Sequence, residues 1–214
     1  MRFRCGATAA TDPVVSSGVE DAWDQLGVPA ASRAAATCLL LGVAIAVRWQ
    51  VFRTQALDGV TEGLLFGLGL LAIARVAGLR PAVPAGLALA AGAVAGFGLV
   101  AVALLARWPT EPLPLGHAAP FVPWVAVTVL VATGEELVLR GALWHWTAAA
   151  QGDVAALVTM SILFALIHVP IYGVRAVPLD FGVGLFFGGL RIWFGGPAAP
   201  ALAHVLADLS TWWL

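Results

Sequence analysis

The chain has few charged residues and no lysine. Only 11% of its 214 residues are Asp, Glu, Lys or Arg, and all eleven basic residues are arginine. A soluble domain carries roughly 25% charged residues, so this composition excludes an ordinary soluble domain. The formal net charge is −1, which differs from the basic surface of proteins that bind nucleic acids, and we expect no nucleic-acid partner.

Cysteine is also scarce, and a secretory signal is missing. Cys5 lies in the amino-terminal tail and Cys38 in an apolar run, so the two do not indicate a disulfide framework. The first thirty residues have no long apolar run of the kind that a signal peptide needs. We expect residues 1–33 to be a loosely ordered cytosolic tail.

Hydrophobic residues dominate the rest of the chain. They make up 61% of it, and the mean hydropathy is +0.94. Spans of about 20 apolar residues are long enough to cross a bilayer as helices. The sequence therefore predicts an all-α, polytopic transmembrane helix bundle with about seven membrane helices, at residues 34–52, 62–79, 85–106, 119–146, 154–172, 177–194 and 198–214.

Glycines and tryptophans are placed as membrane helices require. Three pairs of glycines four residues apart would let helices approach closely: Gly63/Gly67, Gly92/Gly96 and Gly184/Gly188. Several tryptophans, Trp144 among them, cluster at the ends of predicted spans, which is typical of an interfacial aromatic belt.

Six titratable or charged residues interrupt the most apolar part of the chain. Such groups are costly in hydrocarbon, so their presence there indicates function. They lie on the fourth, fifth and seventh predicted spans and are Glu135, Glu136, Arg140, His168, His204 and Asp208.

The fourth span pairs one of its two acids internally. Glu136 and Arg140 are four residues apart with the acid first, the better orientation for an ion pair within a helix. Glu135 lies about 100° further round the helix and needs a partner on another helix. This makes Glu135 the candidate base and Glu136 the structural acid.

The partners that we expect for Glu135 are His168 and His204. Phe164 shares a helix face with His168, and Asp208 shares one with His204, where it could orient the ring or act directly. A carboxylate and two imidazoles can deprotonate and position a water, with or without a metal.

The net charge of these six residues can be balanced in two ways. With neutral histidines, Glu135, Glu136, Asp208 and Arg140 sum to −2, which is very unfavourable in a bilayer interior. Either protons are taken up, or Zn²⁺ or another divalent cation is bound by Glu135, His168, His204 and Asp208 with one position open for water. The arithmetic favours a metal but does not require one.

Other polar residues have simpler explanations. We expect His145 to be interfacial and His117 to be solvated. Asp180 lies at the edge of a span, where it could line the mouth of a cavity, although we expect it to be solvated. Arg48 and Arg75 lie near span ends, where their side chains can reach the membrane surface.

Three stretches of the sequence resemble the motifs of the CPBP family, the CAAX prenyl proteases and bacteriocin-processing intramembrane proteases also called the ABI family. They are Glu135-Glu136-Leu-Val-Leu-Arg140-Gly141, Phe164-Ala-Leu-Ile-His168 and His204-Val-Leu-Ala-Asp208. The resemblance covers residues 119–214 and makes them a catalytic core of four membrane helices. Residues 34–118 are then three variable membrane helices.

The resemblance implies a multi-pass membrane endopeptidase that cuts a peptide or membrane-protein substrate at or near the membrane surface. It assigns water activation to Glu135 and His168, and oxyanion stabilisation or metal binding to His204 and Asp208. Eukaryotic prenyl proteases have Asn in place of this Asp, and an ionised Asp would repel an oxyanion unless it were protonated or metal-bound. We expect a bacterial plasma membrane, whereas the oligomeric state, and whether the substrate is prenylated or bacteriocin-like, stay open.

Two other functions fit the same residues. A non-catalytic membrane binding or bacteriocin-immunity protein could retain the protease fold without using Glu135. A proton or ion carrier could use acid and histidine side chains as a relay. The carrier fits less well, because the Glu136–Arg140 arrangement predicts a locked pair and not a row of titrating groups.

Overall fold

The computed structural model describes residues 27–79, 84–107 and 120–213, and within these ranges it contains helices and no strand. The tail predicted at 1–33 lies mostly outside the described residues, as does His117. The prediction of an all-α bundle is confirmed. The elements are α1 Ala30–Thr54, α2 Gly59–Val76, α3 Gly86–Arg107, α4 Phe121–Glu136, a π-helix Leu137–Leu143, α5 Trp144–Gln151, α6 Asp153–Tyr172, a 3₁₀ turn Val174–Ala176, α7 Val177–Phe194 and α8 Ala198–Ser210.

Six helices of the described chain are long and apolar enough to cross a membrane, so this is a multi-pass membrane protein. One of them, Phe121–Gln151, joins α4, the π-helix and α5 into a single rod of 31 residues. The seventh predicted span forms α8, which has 13 residues. A helix of that length is about 20 Å long, shorter than the roughly 30 Å hydrocarbon core.

The three predicted glycine pairs lie at close helix contacts, which confirms that prediction. The pair on α2 packs against α4, the pair on α3 against α8, and the pair on α7 against α6. A Cβ on Gly92 would lie 2.6 Å from the carbonyl oxygen of Ala199, and one on Gly184 would lie 2.9 Å from the Cα of Ser161. The Gly92/Gly96 contacts place α8 against α3, and α8 also packs against α4, so its polar face is directed into the bundle.

The π-helix is tied to α7 by an arginine in the last turn of α7. Arg191 is only 7% exposed, and its Nε donates to the backbone carbonyl of Arg140 at 2.8 Å. Its guanidinium lies over the ring of Trp144. Trp144 is buried in the core, with Nε1 donating to Asp153, so its assignment to the aromatic belt was wrong.

The turn between α1 and α2 fixes the start of α2. Asp58 caps this helix by accepting hydrogen bonds from the Thr61 hydroxyl and from the backbone N–H groups of Thr61 and Val60. These bonds, that of the Thr61 hydroxyl first, lower the pKa of the Asp58 carboxyl. The cap positions Glu62 and Phe66, one turn apart on α2, beside Arg48 of α1.

Candidate active site

Glu136 and Arg140 form the ion pair that their spacing predicts. Arg140 Nη1 lies 2.9 Å from Glu136 Oε1, and neither side chain is exposed. Arg140 Nη2 donates to the backbone carbonyl of Gly184 at 3.1 Å, and the guanidinium lies over the ring of Phe164. The pair therefore joins side chains one helical turn apart, and Arg140 also links the π-helix to α7.

Glu136 has a second partner that the sequence did not indicate. Its Oε1 lies 3.1 Å from Nδ1 of His204. A carboxylate only accepts hydrogen bonds, so with Glu136 ionised this His204 nitrogen carries the proton and Nε2 is directed elsewhere. The structural acid of the fourth span thus also orients the imidazole of α8.

Glu135 is turned towards both imidazoles. Its Oε2 lies 3.9 Å from Nε2 of His168 and 3.9 Å from Nε2 of His204, and the residue is only 3% exposed. Oxygens and nitrogens 3.9 Å apart are too distant for a direct hydrogen bond. One water about 2.8 Å from each of two such atoms spans the gap.

His168 is oriented by the backbone of its own helix. Its Nδ1 lies 2.8 Å from the carbonyl oxygen of Phe164, which can only accept, so Nδ1 donates. The neutral ring therefore presents the lone pair of Nε2 to Glu135. The Phe164 ring also packs against His168 and His204, which explains a phenylalanine four residues before the histidine.

Asp208 lies at the open edge of the cluster. Its Oδ2 is 3.4 Å from Nε2 of His204, and its side chain is 44% exposed. His204 therefore has a carboxylate against each ring nitrogen, Glu136 at Nδ1 and Asp208 at Nε2. A protonated His204 could donate from both nitrogens.

Two further charged residues belong to the site, contrary to the expectations for them. Arg48 does not merely reach the membrane surface: its Nη1 lies 3.9 Å from Glu135 Oε1, and its Nε donates to Glu62 at 2.7 Å. Asp180 is not simply solvated, because its Oδ2 is buried and has no hydrogen-bond partner among the described residues, and its carboxyl group lies near His168 and Asp208. Their positions depend on how the helices pack. In the sequence, the only indication that they belong to the site was that each is a charged residue within a predicted span.

The donor atoms are loosely spaced for a metal. In a tetrahedral zinc site the donors, each about 2.0–2.1 Å from the metal, lie roughly 3.3 Å from one another. The 3.9 Å separations between Glu135 and each imidazole are wider. Within the described ranges no group of three or more His, Cys, Asp or Glu is placed to hold a metal ion. The ligand types suit zinc, but their arrangement does not fit it.

Comparison with known proteins finds a family match for a segment, somewhat less than half of the chain, that carries most of this cluster. Residues 117–210 match the family described as type II CAAX prenyl endopeptidase, Rce1-like. The match includes all three sequence motifs and confirms the CPBP resemblance. It supports, at the level of the family, a membrane-embedded endopeptidase with a peptide or protein substrate. Comparisons with curated proteins and with solved structures give no match.

Proposed function

We propose, since residues 117–210 match the Rce1-like type II CAAX prenyl endopeptidase family, that this chain hydrolyses a peptide bond with a water activated by Glu135 and His168. The observation that carries the proposal is the position of Glu135 Oε2, 3.9 Å from both imidazole Nε2 atoms in a largely buried site. The buried carboxylate is the base and the water is the nucleophile.

The proposed reaction starts with proton transfer from the water to Glu135, as the water oxygen attacks the carbonyl carbon of the scissile bond. His168, with its Nδ1 proton held by the Phe164 carbonyl, accepts a hydrogen bond from the water at Nε2 and orients it. When the tetrahedral intermediate collapses, the C–N bond breaks and Glu135 returns the proton to the leaving amine nitrogen.

His204 is the proposed oxyanion stabiliser. Carboxylates against both ring nitrogens favour its protonated form, which puts a positive charge beside the reacting water. An imidazolium N–H directed at the developing oxyanion would stabilise the transition state. Asp208 lies against the same Nε2, so it acts by favouring the positively charged ring, and that positive charge offsets the repulsion between the aspartate and the oxyanion.

The first probe for activity is a farnesylated CAAX peptide, chosen from the description of the family, with unmodified amphipathic peptides beside it. Purified wild type, Glu135→Gln and His168→Ala are compared by mass spectrometry of the products. We expect each variant to lose about 10²- to 10⁴-fold in kcat, the usual contribution of a positioned acid or base. His145→Ala is the matched control, because His145 packs against Trp146 away from the cluster.

Equal cleavage by Glu135→Gln and wild type would exclude the proposal. Should Glu135→Gln instead retain full biological effect while no peptide is cut by any form, the non-catalytic binding or immunity function would be favoured. Both outcomes are read from the same variant.

A metal-assisted form of the reaction, with Glu135, His168, His204 and Asp208 as ligands, is the alternative to the metal-free form proposed above. Because their donor atoms are widely spaced, we expect cleavage to survive chelation within about twofold. The measurement is elemental analysis of the purified protein, with activity before and after 1,10-phenanthroline. Stoichiometric metal, with activity lost on chelation and restored by Zn²⁺, would establish the metal-dependent form.

The bacterial plasma membrane remains our proposal for the location. Its basis is the family resemblance, together with the fact that all eleven basic residues are arginine, which is typical of a GC-rich genome.

A further inference from the structure

Arg48 brings a cation to the catalytic carboxylate from outside the family segment. It lies on α1, whereas the family match covers residues 117–210. The two oxygens of Glu135 are used separately: Oε1 faces Arg48 Nη1 at 3.9 Å, and Oε2 faces the two imidazoles. At 3.9 Å the attraction between Nη1 and Oε1 is electrostatic and not a direct hydrogen bond. It favours the carboxylate orientation in which Oε1 faces the guanidinium and Oε2 faces the imidazoles.

Two side chains of α2 fix the guanidinium of Arg48. Glu62 Oε1 accepts from Nε at 2.7 Å, and the ring of Phe66 lies 4.3 Å from the guanidinium carbon. Because the guanidinium is planar and rigid, fixing Nε and one face also fixes the direction of Nη1. Glu62 therefore acts on Glu135 through Arg48.

The surroundings make this contact effective. The side chains of Arg48 and Glu62 are 21% and 13% exposed, and Glu135 is almost fully buried. Apart from these two charges, the groove of about 250 Å³ between α1 and α2 is lined by apolar residues. A charge pair in such surroundings interacts more strongly than one in water. Arg140 is already bonded to Glu136 and to the Gly184 carbonyl.

We propose that Arg48, oriented by Glu62, is a positioning residue that holds Oε1 of Glu135 so that Oε2 faces the water between the two imidazoles. This inference rests on the proposed function, since it assigns Glu135 the role of base. It makes the α1–α2 pair a part of the active site, and not only a scaffold for the family segment.

The first test compares Arg48→Gln and Glu62→Gln with Arg53→Gln in cleavage of the farnesylated CAAX peptide or of whichever unmodified peptide the wild type cuts. Arg53 is the matched control because it is exposed on the same helix and lies over Trp49. We expect kcat to fall about 10- to 100-fold in Arg48→Gln and about 3- to 10-fold in Glu62→Gln, with KM within about twofold, because misplacement of a catalytic group lowers turnover. Arg53→Gln should match the wild type.

A second test separates positioning from a general loss of structure. Guanidinium or ethylguanidinium at low millimolar concentration should restore kcat of Arg48→Ala by about tenfold and leave Arg48→Ala/Glu135→Gln inactive, because the added cation can occupy the vacated place beside Oε1. Thermal unfolding of each variant checks its fold. If Arg48→Ala does not fold, Glu62→Gln decides, since it retains Arg48.

The outcomes distinguish this inference from the proposed function. Full activity of Glu135→Gln would remove both. Loss of activity in Glu135→Gln, with Arg48→Gln as active as Arg53→Gln, would overturn only the role of Arg48. A folded Arg48→Gln whose defect lies in KM, or a folded Arg48→Ala that no guanidinium compound restores, would also overturn it.

Discussion

Glu135 and Glu136 are adjacent in sequence but face different partners. Adjacent residues of a helix are rotated by about 100° relative to each other. Glu136 therefore faces Arg140 and His204, whereas Glu135 faces Arg48 and the Nε2 atoms of both imidazoles. Glu136 is fully buried within its ion pair, so its loss should mainly affect the fold and the orientation of His204. Loss of Glu135 should mainly affect turnover.

Arg140→Met tests the structural half of this division. It leaves Glu136 buried without its cation and removes the donor to the Gly184 carbonyl. Removing one partner of a buried ion pair costs about 3–5 kcal/mol, so we expect the free energy of unfolding to fall by about that amount. The measurement is reversible unfolding in bilayers or mild detergent. Arg175→Met is the control, because Arg175 is exposed.

The double variant Glu136→Gln/Arg140→Met should recover part of the lost stability, because no unpaired charge is left behind. An Arg140→Met protein as stable as Arg175→Met would contradict the assignment of a structural lock.

How much of the site the sequence predicts depends on whether a contact lies within one helix. The Glu136–Arg140 pair follows from i,i+4 spacing, and the outward direction of Glu135 follows from helical rotation. The Glu136–His204 contact joins residues 68 positions apart, and helical periodicity says nothing about it. Arg48 was misread for the same reason, since only the packing of α1 against α2, and of α2 against α4, shows where its side chain lies.

At the scale of elements, the π-helix between α4 and α5 is the feature that local sequence does not reveal. Residues 137–143 read as an ordinary apolar helix, yet this wider segment makes a backbone carbonyl, that of Arg140, available to Arg191 of α7. π-helical turns are rare and occur frequently at functional sites. Here the segment begins directly after Glu136 and carries Arg140, so it shapes the inner wall of the site.

Gly184 gives a prediction at this scale. A Cβ there would lie 2.9 Å from the Cα of Ser161, and backbone cannot yield as a flexible side chain can. We expect Gly184→Ala to lower stability by about 1–3 kcal/mol through overpacking, and to lower activity because the Gly184 carbonyl holds Arg140. Thermal unfolding and peptide cleavage measure the two effects.

Gly182→Ala on the same helix is the matched control, because a Cβ there meets no atom of the described residues within 4 Å. It should be as stable as the wild type or slightly more so, since Ala has the higher helix propensity. Equal behaviour of Gly184→Ala and Gly182→Ala would mean that α6 and α7 do not require this close approach.

At the scale of the whole molecule, Glu135 lies midway along its 31-residue rod, and the residues around it lie towards one end of the bundle. Glu62, His168 and Asp180 each lie about one turn from an end of a helix, on α2, α6 and α7. Consecutive spans run in opposite directions, so the α1–α2 turn, the end of α6 and the start of α7 lie on the same side. Hydrophobicity along the sequence predicted the six long spans, but it extended the seventh to residue 214, whereas α8 ends at Ser210.

This arrangement predicts from which side of the membrane the site is reached. In a Cys5→Ser/Cys38→Ser background, Ala56→Cys reports the α1–α2 turn, Asp208→Cys the open edge of the site, and Gln151→Cys the opposite end of the bundle. In sealed vesicles of one orientation, we expect a membrane-impermeant maleimide to label positions 56 and 208 from the same side and position 151 from the other. Labelling of positions 208 and 151 from the same side would contradict this prediction, because water would then enter the site from the end of the bundle opposite the α1–α2 turn. That result would also exclude Arg48 and Glu62 from the water-filled mouth of the site, since both lie next to the α1–α2 turn.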